Sequence, residues 1–200
     1  MIYLREQLDA AVKAKGYAYF AGAKDYDVNI IGVRNSAPGQ KVTNLFDDKI
    51  TISYRVDGKW FYHEWDATTE PGKKGVTQYH NANGVARLVP NQYRGVYAVS
   101  MHQGKYQALC QRLGDVTVWR DKNKDMTFDE VETDTGMFGI NIHKAGTVSN
   151  FVENWSEGCQ VFKRVKDFLE FMKIINKAKD FHGNHFTYTL IESNDIIQLN

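Results

Sequence analysis

The apolar positions Leu4, Leu8, Ala11 and Val12 lie close to one face of a helix, and Gly16 stands where that helix would stop. This predicts a short helix from about residue 3 to 15. From Asp27 to Ile142 the pattern changes to short runs rich in β-branched and aromatic residues, punctuated by turns. VNIIGV, KITISYRV, KWFYHEW, GVYAVS and VTVW are the clearest predicted strands. Asp57-Gly58 between the second and third is a two-residue hairpin signal. Pro38-Gly39, Pro71-Gly72 and Pro90 fall in predicted loops. FGINIH reads as a further strand ending at His143. Beyond it Phe162, Val165, Phe168, Leu169, Met172 and Ile175 recur at helical spacing, predicting an amphipathic helix from about 161 to 178. HFTYTLIE then reads as a last strand over about 185–192. With no repeat or linker, the expectation is one domain over 1–200, mainly β (α+β), with a helix near each end.

Composition narrows the function classes. The 25 basic and 24 acidic residues leave a net charge of +1, and no Lys/Arg block stands out, so no nucleic-acid partner is expected. Two cysteines, Cys110 and Cys159, rule out a disulfide scaffold as the organising principle. No stretch approaches the roughly 18 apolar residues of a membrane span. MIYLREQLDAAVKAKG also lacks the apolar stretch of a secretory signal, which points to cytoplasmic synthesis.

The chemistry concentrates between Gly136 and Phe162. A strand ending in a histidine is followed by a loop and then by Ser156-Glu157-Gly158-Cys159, just ahead of the predicted helix. Unpaired N–H groups near a helix start favour a thiolate and can hold the oxyanion formed when it attacks an amide. Gly158 would let a substrate carbonyl approach the backbone. His143, held at a strand end, could take the thiol proton. Cys110, inside KYQALCQRL, has no such surroundings and reads as core.

Gly139-Ile140-Asn141-Ile142-His143 and Ser156-Glu157-Gly158-Cys159, with Cys159 sixteen positions after His143, resemble the L,D-transpeptidase (YkuD-type) catalytic motif. That family has a strand ending in Gly-Ile-His and then Ser/Thr-His-Gly-Cys. More loosely, Ala67 to Gly72, Asn91 to Gly95, His102 to Leu109 and Arg120 to Asp125 look like segments of a set of phage-encoded proteins. The resemblance implies an L,D-transpeptidase-like β-sandwich or mixed-sheet domain, with Cys159 as nucleophile and His143 as base acting on peptidoglycan stem peptides. Cross-linking (a transferase) and hydrolysis (a carboxypeptidase or endopeptidase) both fit. Delivery to the cell wall would then be by a holin or as a virion component, with virion or lysis partners. Glu157 stands where the family usually has histidine, and Gln160-Val161-Phe162 replaces its apolar-Arg-Met/Leu; Arg164 is the nearest arginine. These departures support the alternative of a virion structural or wall-binding protein carrying an inactive form of the same fold. A papain-like peptidase fits less well, since there the cysteine precedes the histidine.

Further residues belong to the candidate list. His102, Arg94, Glu157 and Trp155 are candidates for substrate contact; Arg94 could meet a carboxylate bidentately, and Trp155 fits either a pocket wall or a loop anchor. His63 and His80 lie in aromatic surroundings where they could be metal ligands, although no HExxH spacing exists. Asp121, Asn123, Asp125, Thr127, Asp129 and Glu132 fall at the oxygen-ligand positions of a calcium loop. Met126 sits where that loop requires glycine, and the flanks read as strands instead of helices. No cofactor is expected, with calcium as the weak exception.

Overall fold

A computed structural model describes residues 2–35, 39–78 and 81–196. The helices are α1 (Arg5–Ala14), α2 (Lys73–Thr77) and α3 (Val165–His182). The strands are β1 (Asn29–Arg34), β2 (Asp48–Val56), β3 (Lys59–Thr68), β4 (Val85–Leu88), β5 (Gln92–His102), β6 (Tyr106–Gln111), β7 (Val116–Asp121), β8 (Glu132–Gly136), β9 (Ile142–Lys144), β10 (Gln160–Phe162) and β11 (Phe186–Glu192). Eight of them close into a barrel in the order β1-β11-β5-β6-β9-β10-β3-β2, while β4-β7-β8 form a small antiparallel sheet beside it. The chain is mainly β, as its aromatic and β-branched runs predict. Two neighbouring barrel pairs are parallel, β1 with β11 and β9 with β10.

The predicted hairpin forms at Asp57-Gly58, both with positive φ (49° and 75°), joining β2 to β3 in unbroken register. Every residue of β1 is buried because both faces are covered. Ile31 and Val33 meet Leu8, Ala11 and Val12 of α1 on the outside. Ile30 faces the main core with Ile50, Ile52, Tyr188 and Leu190. The buried stripe of α3, Phe168, Phe171, Met172, Ile175 and Ala178, fills that same core against Trp65 and Phe162. The Phe162 and Phe171 rings lie 5.0 Å apart. Truncating a ring such as Phe171 would cost about 3–5 kcal/mol through lost burial and the cavity left behind.

Two boundaries differ from the sequence expectation. Residues 161–162 are not the start of the C-terminal helix but belong to strand β10, which pairs with β9 on one side and β3 on the other. The backbone is still extended at Arg164 (φ −116°, ψ 134°), and the helix begins at Val165 and runs to His182. The phase of Phe162 with Val165 and Phe168 was coincidental, since Phe162 is buried by strand pairing. The FGINIH strand shrinks to Ile142–Lys144, because Phe138, Gly139 and Ile140 sit in an irregular segment held by a side chain. His143 is therefore the middle residue of β9 and not its end. Leu4 also leaves the predicted α1 face, lying 57% exposed at the helix entry.

A buried ionic network underlies one end of the barrel. Arg34, wholly buried, pairs with Glu70 at 2.7 Å, and Arg87 of β4 pairs with the same carboxylate at 2.6 Å and reaches Glu130 beyond it. Asp48 accepts hydrogen bonds from the Asn35 and Thr69 amides and the Thr69 hydroxyl. This network fixes Thr69-Glu70, and with them the turn to Pro71-Gly72 that supports the cysteine loop.

Candidate active site

β9 and β10 are adjacent and parallel, with His143 level with Val161. Cys159 precedes β10 by one residue and packs against the cluster of Phe46, Ala145, Val152 and Val161. Strand pairing, not a helix start, therefore positions the sulfur, and the expected helix-dipole assistance is absent because α3 begins at Val165. His143, Cys159, His102, Glu157 and Trp155 line one cleft of about 470 Å³, with Tyr106 and Lys144 at its wall. A second cleft of about 360 Å³, bounded by Ala86, Arg120 and Ile140, reaches Cys159 and Glu157 from the other side. Cys159 thus stands where two grooves meet.

The loop carrying Cys159 is pinned from below. Asn44 donates to Glu153 Oε1 (2.7 Å) and accepts from the Lys73 and Glu153 amides at 2.9 and 2.8 Å. Gly72 N donates to Ser156 O (3.0 Å), and a Cβ at Gly72 would lie 2.2 Å from Glu153 O. The Pro71-Gly72 turn is therefore a seat for the loop as well as a turn. Ser156 is buried; its Oγ donates to Cys159 O (2.8 Å) and accepts from Gly158 N (3.1 Å). Its role is to close the Ser-Glu-Gly-Cys turn. Gly158 has φ 129°, and a Cβ there would meet Ala86 O at 2.6 Å. The glycine is demanded by contact with β4, whereas the sequence suggested room for a substrate carbonyl. Its N–H is committed to Ser156, so of the two amides expected to hold an oxyanion only that of Cys159 is without an acceptor among the described residues.

Gln160 occupies the first of the positions where the family has apolar-Arg-Met/Leu. It is fully buried, donating to Gly158 O (3.1 Å) and accepting from Tyr188 O–H (2.8 Å), which ties the turn to the barrel interior.

Hydrogen bonding fixes the state of His143. Nδ1 lies 3.0 Å from Lys144 O, which can only accept, so Nδ1 carries the proton and Nε2 is a free base. Burial, and then the neighbouring His102, push its pKa down to about 4. His143 is therefore a neutral imidazole across the physiological range. Cys159 is partly accessible as a residue, but its sulfur lies deep, contacting Asn141 N at 3.4 Å and Gly139 O at 3.5 Å. Burial pushes the thiol up to about 11, against the pull of the Asn141 amide. No hydrogen bond joins His143 to Cys159 among the described residues. The resting pair is thiol and imidazole, not thiolate and imidazolium.

Asn141 and Gln111 escaped the sequence reading. Asn141 Oδ1 accepts from Gln111 N (2.9 Å), its O accepts from Gln160 N (2.9 Å), its N touches Cys159 Sγ, and its Nδ2 meets His102 Nδ1 at 3.1 Å. Gln111, wholly buried, accepts from the Phe138 and Ile140 amides and donates to Gly136 O. The clue available in the sequence was alternation: in Ile140-Asn141-Ile142-His143 the polar residues recur with period two.

The other candidates separate. Arg94 sits in a different cleft, of about 400 Å³, beside Phe20, His182 and His185, with its guanidinium 5.5 Å above the Phe20 ring. It lies eight positions along β5 from His102, so it does not join the cysteine site. Trp155 does line that site and also packs over Gly146. His63 is stacked between Tyr54 and Trp65, 3.6 Å from Glu170. His80 lies outside the described residues. In the calcium-like segment Asp121, Asn123 and Asp125 each accept a backbone N–H two residues ahead, Asn123 also donates to Asp129, and Glu132 pairs with Lys122. Among the described residues no group of three or more His, Cys, Asp or Glu side chains is arranged to hold a metal ion. No described helix is long and apolar enough to cross a membrane.

Comparison with known proteins finds no family model, no curated protein and no solved structure that matches the chain.

Proposed function

We propose that the chain is a cysteine-dependent acyl-transfer enzyme of the L,D-transpeptidase type, acting on peptidoglycan stem peptides. The observation that carries this reading is the convergence on one cleft of Cys159, one residue ahead of β10, and a His143 with a free Nε2 on the adjacent parallel β9. The motif resemblance supplies the substrate class, and the barrel is read as a divergent form of that family's domain. Cys159 sulfur attacks the carbonyl carbon just before the stem peptide's terminal D-amino acid. His143 Nε2 takes the thiol proton as the bond forms and returns it to the leaving amine. The Cys159 amide faces the developing oxyanion. The two grooves at Cys159 offer separate approaches for donor and acceptor. An amine acceptor gives a cross-link and water gives hydrolysis.

A second reading rests on the same geometry: a virion-associated or wall-binding protein with an unused site. The high thiol pKa, the committed Gly158 amide and the absent His143–Cys159 hydrogen bond favour it. Intact-protein mass spectrometry after incubation with a carbapenem or a disaccharide-tetrapeptide separates the two. An adduct on the wild type and none on Cys159→Ala supports acyl transfer, and the released products then distinguish cross-linking from hydrolysis. Retention on insoluble cell wall without adduct or soluble fragments supports the binding protein.

A further inference from the structure

His102 and His143 stack with their ring centroids 4.2 Å apart and their planes inclined by 20°. Their hydrogen bonds place the protons differently on the two rings. The Gln111 amide must donate, so the Asn141 atom facing it is the carbonyl oxygen and the other is the NH₂. That NH₂ donates to His102 Nδ1, leaving the proton of a neutral ring on Nε2. On His143 the proton is on Nδ1, held by Lys144 O, and Nε2 is bare. Both rings line the cleft, and among the described residues neither Nε2 has a protein hydrogen-bond partner. The cleft therefore receives one imidazole acceptor and one imidazole N–H donor side by side.

The site also has a place for that donor. An acyl-transfer centre normally offers two donors to its oxyanion, yet Gly158 N–H is held by Ser156 and leaves Cys159 N–H alone. We propose that His102 is a second catalytic histidine, locked by Asn141 as an Nε2–H donor to the substrate carbonyl oxygen. This rests on the acyl-transfer reading above and adds to it the source of the missing oxyanion contact. The sulfur–carbon bond forms while the thiol proton passes to His143 Nε2, and the carbonyl π pair moves to oxygen. That oxygen accepts from Cys159 N–H and His102 Nε2–H. On collapse the carbon–nitrogen bond breaks and the proton on His143 goes to the leaving nitrogen. His102 keeps its own proton throughout.

The charged and titratable groups around His102 agree with a neutral ring. Burial disfavours its protonation, and Arg112 and Lys105 add to that. His143 faces it from β9; Tyr106 faces it from β6 with its ring centroid 5.4 Å away and carries the Lys144 ammonium 4.6 Å from that ring's centroid.

The test compares two reactions at Cys159. Acylation by a carbapenem develops an oxyanion; alkylation by iodoacetamide does not. His102→Phe keeps an aromatic ring in the stack and removes the N–H. It is expected to slow acylation about 10²–10³-fold, as loss of one oxyanion donor does, and to leave alkylation within about twofold. Asn141→Asp keeps the acceptor for Gln111 but draws the His102 proton to Nδ1. Only the imidazolium of that variant retains Nε2–H, so its acylation rate should fall as pH rises through the raised His102 pKa, a limb the wild type lacks. ¹⁵N spectra of histidine-labelled protein should show Nε2–H on His102 and Nδ1–H on His143. Equal slowing of both reactions by His102→Phe, unaltered acylation, or a bare His102 Nε2 in the spectra overturns the proposal. Should His102→Phe lose its near-ultraviolet circular dichroism, the Asn141→Asp pH profile decides. A wild type that forms no adduct refutes the acyl-transfer reading itself, whereas an adduct formed equally fast by His102→Phe refutes only the role of His102.

Discussion

The resting state of Cys159 can be tested by titrating its reactivity with a small alkylating reagent. Burial raises the thiol to about 11, and no imidazolium stands by to offset it because His143 is held near 4. At pH 7 a thiol titrating at 11 is thiolate in about one molecule in 10⁴, against about 3% for an ordinary cysteine. The higher pKa makes each thiolate about tenfold more nucleophilic, given a Brønsted slope of about 0.4–0.5. The two effects leave alkylation at pH 7 about 30-fold slower than that of a free cysteine. The rate should rise about tenfold per pH unit from 7 to about 10, with no plateau at low pH. Iodoacetamide labelling followed by intact-mass spectrometry reads this directly. Cys110 is 0% exposed, so Cys159→Ala should take up no label while folded. A flat rate between pH 5 and 8 would be the signature of a thiolate–imidazolium pair. It would refute the argument that burial dominates the electrostatics of this cysteine.

Other expectations follow from the same contacts. Glu70→Gln leaves Arg34 and Arg87 buried without their shared carboxylate, so unfolding should become easier by about 3–5 kcal/mol, read as a Tm lower by about 10 °C. Gly158→Ala forces a Cβ towards Ala86 O at an unfavourable φ. It should lose about 1–3 kcal/mol in chemical denaturation and most of the carbapenem adduct. Arg94→Ala should leave adduct formation unchanged, because Arg94 lies in a separate cleft; a loss of more than about threefold would show the two clefts to be coupled. His143 has a folded pKa depressed from 6.5 to about 4, so the unfolded chain takes up the proton first. Its contribution is complete above pH 6.5 and should shrink by about 3 kcal/mol on falling to pH 4. Urea unfolding of the wild type against His143→Gln at pH 7 and pH 4 isolates that difference.

What the sequence disclosed, and what it hid, has a physical pattern. β2 and β3 were legible because β-branched and aromatic runs flank Asp57-Gly58, which sets the hairpin locally. α1 ended where Gly16 predicted, at φ 74°. β6 (YQALCQ) and β4 (VARL) went unrecognised because their extended state comes from pairing with β5 and β7, not from propensity. Val161 and Phe162 read as the start of the helix because Phe162 falls in phase with α3, whereas long-range pairs to β3 and β9 hold them in β10. Within the candidate site, Cys159 and His143 could be named from their motif. The residues that orient them could not, since Asn141, Gln111 and Asn44 act through hydrogen bonds spanning up to 109 positions.

The placement of buried polar groups says something about what the fold is organised to hold. Arg34, Asp48, Thr69, Glu70 and Arg87 are nearly inaccessible and lie around the turn that seats the cysteine loop, while Gln111, Asn141, Ser156 and Gln160 surround the loop itself. Well-packed apolar residues would serve stability as well as a buried ion network, and often better. What they could not supply is direction. A guanidinium bound by a carboxylate, or an amide whose oxygen must face an N–H, has one arrangement where a methyl group has several. In this chain the directional contacts run in sequence from the ionic network to Thr69-Glu70, from the Pro71-Gly72 turn to Ser156, and from Ser156 to Cys159. A second series runs from Gln111 to Asn141 and on to His102 and Cys159. Both series end on Cys159, the first at its carbonyl oxygen and the second at its sulfur. A barrel that needed only to be stable would not have to bury so many polar side chains beneath one cysteine.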